Sequence, residues 1–334
     1  MGYYAIGVDL GGTNLRIAAV DEDGKLLSKT ELETGVALGR EHVIDDLCRA
    51  TETMQAKYKG VAELCGIGVG VPGLIDSETG RLLESPNLPG WENYDVKGDI
   101  EQRLGTSVIL ENDANAAALG EQWLGAGRNV ESMCMYTLGT GVGGGLVLNG
   151  KIWRGWNGMA AELGHCNVEP SGHPCNCGSY GCLEQYASAT AVVRMTREAL
   201  TSGTATQLHA IPGELTARIV FECAMRGDIL SRKVFERVGR ALGLAIASMV
   251  NVLNLPLYVI GGGVSSAWDA FSPSLFDEVR RRSFVYAGTT AEDGTGVGGR
   301  QCTTRITPAM LGGDGGLYGA ARLAMIHTTV TSKA

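Results

Sequence analysis

Residues 3–20, YYAIGVDLGGTNLRIAAV, contain two short apolar runs, 3–8 and 15–20, on either side of Asp9-Leu10-Gly11-Gly12-Thr13-Asn14. Runs of this length, rich in β-branched residues, are buried strands, and the polar glycine segment between them is a turn. This is strand, glycine turn, strand. In a P-loop the glycines would instead open a helix and carry Gly-Lys-Ser/Thr. The turn offers the backbone N–H groups of Gly11 and Gly12 and the Thr13 hydroxyl to phosphate oxygens, and Asp9 stands where it can hold magnesium through water. A plain hairpin needs no more than Gly-Gly, so the stretch alone leaves both readings open.

Residues 133–148, MCMYTLGTGVGGGLVL, repeat the pattern, with Gly139-Thr140-Gly141 in the place of Gly11-Gly12-Thr13. Gly139, Gly141 and Gly144 also satisfy G-x-G-x-x-G. A dinucleotide fold needs a helix next, and residues 145–148 are strand-like before the Asn149-Gly150 hairpin turn. The GLVLNGK near-match to a P-loop at 145–151 lacks its Ser/Thr and alternates as a strand does.

Between the two copies, residues 40–59 place Val43, Ile44, Leu47, Ala50, Met54 and Tyr58 at helical intervals. The glycines of CGIGVGV at 65–71 mark a buried strand against which something packs tightly. Asn87-Leu88-Pro89-Gly90-Trp91 is a rigid turn whose Trp91 either rims a pocket, the favoured reading, or covers the core. A strand at 108–110 runs into Glu111-Asn112-Asp113-Ala114-Asn115 and an alanine-rich helix over 114–126. An acid at this place either caps the helix or acts as a general base, because ligands of open α/β sheets bind beyond the carboxyl ends of strands. Two acids and two amides in five residues exceed a cap's needs, so Asp113 is the candidate base.

Residues 162–184, ELGHCNVEPSGHPCNCGSYGCLE, hold His165 and then Cys175, Cys177 and Cys182 as C-x-C-x4-C. One imidazole and three thiolates complete a tetrahedral zinc shell with no open position, which is the mark of a structural ion. Cys166 or His173 could substitute as a ligand. The other cysteines, Cys48, Cys65, Cys134, Cys166, Cys223 and Cys302, read as small core residues. Helices follow at 188–200, 215–225 and 231–252; the last is nearly apolar in its second half and suits a core or an interface. A strand at 258–260 meets Gly262 and Gly263, and a polar strand at 300–306 precedes Gly312 and Gly313 before a final helix. These two turns either flank an adenine ring or are ordinary βα loops.

The chain has 334 residues, 44% of them hydrophobic and 19% charged, enough for two domains with real cores. A net charge of −8 without a basic face argues against a nucleic-acid partner. Nine cysteines, mostly isolated, fit a reducing cytoplasm better than a disulfide framework. The start lacks the features of a secretory signal, and no apolar run reaches about eighteen residues, so a membrane partner is not expected.

The two strand-turn-strand copies, DLGGTN, ENDAN, LGTGVGGG, and ELGH with CNCGSYGCLE together resemble the actin-like, ribonuclease H-type phosphotransferases. Among these the chain is similar to the ROK sugar kinases, most of all their ATP-dependent glucokinases, over almost its whole length. The resemblance implies an α/β, two-lobed ATPase fold, a duplicated mixed sheet with helices and a zinc-bound loop at 162–184. It implies a small lobe of 1–114 plus 315–334 and a large lobe of 115–314. Asp113 would take a proton from the sugar hydroxyl, while Gly73, Asn112, Glu162, His165 and Glu184 hold the sugar. Asp9 with Mg²⁺, Gly11, Gly12, Thr13, Asn14, Gly139, Thr140, Gly141, Gly262, Gly263, Gly312 and Gly313 would hold ATP, and zinc would be structural. The expected substrate is glucose, with fructose, mannose, allose or N-acetylmannosamine kinases and a non-catalytic sugar sensor as alternatives. Some ROK proteins are repressors with a DNA-binding module ahead of DLGGT; eight residues precede Asp9 here, which points away from that class. The family implies a homodimer or homotetramer.

Overall fold

The computed structural model describes residues 2–76, 78–201, 203–289 and 304–331. The chain packs as two units, Met1–Glu131 with Gly145–Ala161 and Met310–Ala334, and Ser132–Gly144 with Glu162–Ala309.

The first unit contains β1 (Tyr3–Leu10), β2 (Asn14–Asp21), β3 (Leu26–Glu33), β4 (Glu63–Val71), the hairpin β5 (Leu74–Asp76) and β6 (Arg81–Glu84), and β7 (Val108–Asn112). Its helices are α1 (Arg40–Tyr58), α2 (Val96–Leu104) and α3 (Asp113–Leu124), with the final helix of the chain described below. The sheet order is β3-β2-β1-β4-β7, antiparallel through β3, β2 and β1 and parallel from β1 to β7. Strand alternation sorts the two faces. Ile6, Val8, Ile17 and Val69 share a core with Val43, Ile44 and Leu47 of α1 and Val96 and Ile100 of α2. The opposite face carries Ala5, Ala18 and Val20, which meet Leu317, Ala321 and Ala324. Small residues there let backbone approach backbone. A Cβ on Gly68 would stand 1.8 Å from the Ala320 carbonyl oxygen, so helix packing demands this central glycine of residues 65–71.

The second sheet orders β10-β9-β8-β11-β12, from β8 (Met133–Leu138), β9 (Val142–Leu148), β10 (Lys151–Ile152), β11 (Leu257–Gly261) and β12 (Arg305–Pro308). β9 pairs antiparallel with β10, and β8, β11 and β12 run parallel, which repeats the first sheet's plan. The remaining helices are α4 (Glu184–Ala187), α5 (Ala189–Thr201), α6 (Ala217–Met225), α7 (Ile229–Leu253), α8 (Trp268–Arg282), α9 (Phe284–Thr289) and α10 (Gly315–Thr331). The apolar half of α7 is core: Val238, Leu242, Ile246 and Val250 are buried. A Cβ on Gly239 would meet the Phe271 carbonyl of α8 at 2.1 Å, so α8 occupies that face. The Asp228 carboxylate caps α7 by accepting the Ser231 N–H.

Two expectations change. Trp91 does not rim a pocket; it is 1% exposed and stacks edge-on against Tyr94 at 5.5 Å, because apolar surface of that size is worth more inside the first unit's core. Packing also groups 115–131 and 145–161 with 1–114. The cause is close contact of α3 with α10, where a Cβ on Gly319 would lie 1.6 Å from the Ala116 oxygen, and of Gly145 with Ala114 and Ala118. Of the polar strand expected at 300–306, residues 300–303 and with them Cys302 lie outside the described residues.

Candidate active site

In the first unit, β7 delivers Asn112 and Asp113 to the start of α3. Asn112 is the cap: its Oδ1 accepts the N–H groups of Ala114 at 2.9 Å and Asn115 at 3.1 Å. Its Nδ2 donates to the Gly73 carbonyl at 3.1 Å, which leaves one N–H hydrogen for a ligand. Asp113 is thus not required as the cap, although its Oδ1 also accepts the Ala114 N–H at 2.8 Å. Its charge is felt by Asp9. Burial first and Asp113 second push the Asp9 carboxyl up to about 6, against the pull of Arg16.

Arg16 was not among the expected site residues. It pairs across the hairpin with Asp9, its Nη1 lying 3.5 Å from Asp9 Oδ2 and donating to the Gly313 carbonyl at 3.1 Å. Counting outward from the glycine turn gives this pairing, so the register could have found it. Glu121, fully buried, was missed as well: it accepts N–H groups from Ala126, Met310 and Leu311 at 2.7 to 2.9 Å and so fixes the approach to the turn at Gly312. Within the first glycine turn, the Gly11 N–H donates to the Asn14 carbonyl at 2.9 Å. That donor is therefore used inside the turn.

In the second unit the Gly139 N–H is likewise taken, by the Gly141 carbonyl at 2.9 Å. The Ala189 N–H and the Thr190 hydroxyl hold the carbonyls of Gly139 and Thr140 at 2.8 Å. Glu184 is built into the same turn. Its Oε2 accepts the Val142 N–H at 3.0 Å and stands where a Cβ on Gly141 would be met at 2.3 Å. Burial, then the charge of Glu184, raises the Glu162 carboxyl, and His165 opposes them. Gly262 is demanded by packing, since a Cβ there would meet the Leu138 backbone at 2.4 Å, whereas Gly263 and Gly312 face open space.

His165 Nδ1, Cys175, Cys177 and Cys182 bring their ligand atoms within 4.8 Å of one another. Zn–S bonds of about 2.3 Å in a tetrahedron require sulfurs about 3.8 Å apart. The Cys177 and Cys182 sulfurs are 3.7 Å apart, and Cys175 Sγ lies 3.8 Å from His165 Nδ1. The residues fit zinc. Burial, then the neighbouring Cys177 and Cys175, pushes the Cys182 thiol up to about 12, a cost of forming the thiolate that a bound cation would offset. Gly181 has φ 67°, and a Cβ on it would strike the Glu169 carbonyl at 1.7 Å. Cys166 and His173 lie outside the cluster: Cys166 is exposed rather than a core residue, and His173 Nδ1 faces the Pro174 carbonyl.

A sheet plan used twice, each copy with a glycine turn between its first two strands, defines the actin-like, ribonuclease H-type ATPase fold. Residues 5–326 match the ROK family, and the chain belongs to it. It is 39% identical over 323 residues to the glucokinase of Halalkalibacterium halodurans, covering 95% of this chain and 94% of that one. It is 43% identical over 277 residues to the glucokinase of Thermotoga maritima, covering 82% and 86%. Among solved structures it is similar to a ROK family glucokinase from Streptomyces griseus in complex with glucose and AMPPNP, with a TM-score of 0.77, 34% identity and coverage of 97% and 99%. Among the described residues no helix is long and apolar enough to cross a membrane.

Proposed function

We propose that the chain transfers the γ-phosphoryl group of ATP to the 6-hydroxyl of glucose. The observation that carries this reading is the carboxylate of Asp113 at the start of α3, near enough to Asp9 to raise its pKa. Asp113 takes the hydroxyl proton as the sugar oxygen bonds to the γ-phosphorus and the bond to the ADP oxygen breaks. Gly73, Asn112, Glu162, His165 and Glu184 hold the other hydroxyls. Asp9 is the group for Mg²⁺, which when bound supplies neutralisation of phosphate charge. Gly12, Thr13, Asn14 and Thr140 with its glycines serve the phosphates, and Gly263, Gly312 and Gly313 serve the adenosine. Zinc tethers residues 162–184. A cytoplasmic homodimer or homotetramer is the setting consistent with the family.

The test is ATP-dependent phosphorylation over a panel of hexoses, read by ADP release. Glucose is expected to give the highest kcat/KM. Preference for mannose, fructose, allose or N-acetylmannosamine moves the assignment to a related kinase, and sugar binding without ADP release makes the chain a sensor.

Asp9 also sets a pH dependence. Its folded pKa of about 6 exceeds the ordinary 3.8, so in the ligand-free protein its proton is stabilising below pH 3.8 and that contribution is lost as pH rises through about 6. Metal requires the carboxylate, so the sign reverses for nucleotide. The apparent affinity for Mg-ATP is expected to fall by up to about tenfold per pH unit below 6, measured by titration calorimetry at fixed magnesium.

A further inference from the structure

We propose that Arg154, acting through Glu111, is the positioning residue of the Asp113 segment; this rests on Asp113 being the base. Glu111 is the first residue of the ENDAN stretch and is 4% exposed. Its Oε2 receives Arg154 Nε at 2.7 Å and Nη2 at 2.6 Å. Its Oε1 receives the Asn112 N–H and Asn115 Nδ2, each at 3.1 Å. One carboxylate therefore grips the backbone N–H of the residue before Asp113 and a side chain two residues after it, and Arg154 fixes that carboxylate from 43 residues away.

Burial energetics alone do not account for the pair. Replacing a buried ion pair by apolar residues is often neutral or stabilising, whereas removing one partner leaves a charge uncompensated. Nor is the Arg154 segment held by its aromatics, since Trp153 and Trp156 are 52% and 100% exposed. What the pair supplies is direction. Without the guanidinium no other described residue is bonded to Oε2, the carboxylate turns, and Oε1 releases the two groups that flank Asp113. A base misplaced by about 1 Å can lower turnover about 100-fold.

The test compares Arg154→Ala, Arg154→Lys, Glu111→Gln and the Arg154→Ala/Glu111→Gln double variant with Asp113→Asn in the full chain. Arg154→Ala is expected to lower kcat about 100-fold with KM for ATP unchanged, and millimolar guanidinium is expected to restore part of it. Lysine, a point charge that cannot make both bonds, is expected to recover little. The double variant is expected to be no worse than the poorer single, because both remove one interaction. Wild-type kcat in folded Arg154→Ala overturns the inference, as does a loss that tracks the folded fraction and ignores guanidinium. Should Arg154→Ala fail to fold, full kcat in both Arg154→Lys and Glu111→Gln overturns it. Turnover retained by Asp113→Asn sinks the base assignment and this inference with it; an inactive Asp113→Asn beside a fully active Arg154→Ala sinks this inference alone.

Discussion

Asp113→Asn is expected to lower kcat by about 1,000-fold while glucose still binds, measured by ADP release and by titration calorimetry. The substitution is well suited to the question. Asn112 provides the cap of α3, and asparagine at 113 keeps an oxygen for the Ala114 N–H, so the helix start survives. A second readout comes from Asp9. The charge of Asp113 helps to raise the Asp9 carboxyl to about 6, and a neutral residue removes that contribution. Asp9 is therefore expected to titrate at lower pH in the variant, and the acid loss of Mg-ATP affinity should move down with it. Near-normal kcat in Asp113→Asn would mean that another group accepts the proton.

Loss of zinc is expected to have the next largest effect. The purified chain should carry about one zinc per chain, and Cys182→Ala should carry almost none, by metal analysis. Cys182 is fully buried among its partners, so its removal cannot be compensated by water as it could at exposed Cys177. Residues 162–184 should then become protease-sensitive, and KM for the sugar should rise by about tenfold or more, because Glu162, His165 and Glu184 all lie on the tethered stretch. A zinc-free protein with an unchanged sugar KM would show that the thiols are only buried neighbours.

Much of the local layout of the candidate site was legible because its signals are short in range. The C-x-C-x4-C spacing with His165 identifies a set whose ligand atoms the structure gathers within 4.8 Å. The two strand-turn-strand stretches at 3–20 and 133–148 lead to sheets with the same plan. Helical spacing at 40–59 gives α1 to within a residue. Trp91 was misread because a Pro-Gly turn shows where the chain bends and not which way a side chain faces. The glycine turns were read correctly as turns, but local hydrogen bonds take the Gly11 and Gly139 donors that a sequence cannot assign.

By itself the sequence determined the repeated glycine-turn architecture, the His165 and cysteine set that could hold a metal ion and the ENDAN helix start, since each depends on residues within about twenty positions of one another. Tertiary structure decided that Glu111 is gripped by Arg154, that Arg16 links Asp9 to the Gly313 carbonyl, and that Glu121 anchors the N–H groups of Met310 and Leu311. Those partners lie up to 297 residues apart. Nothing in local periodicity specifies which distant charge will meet a buried carboxylate; that follows only once strand register and backbone-close helix packing have placed both groups.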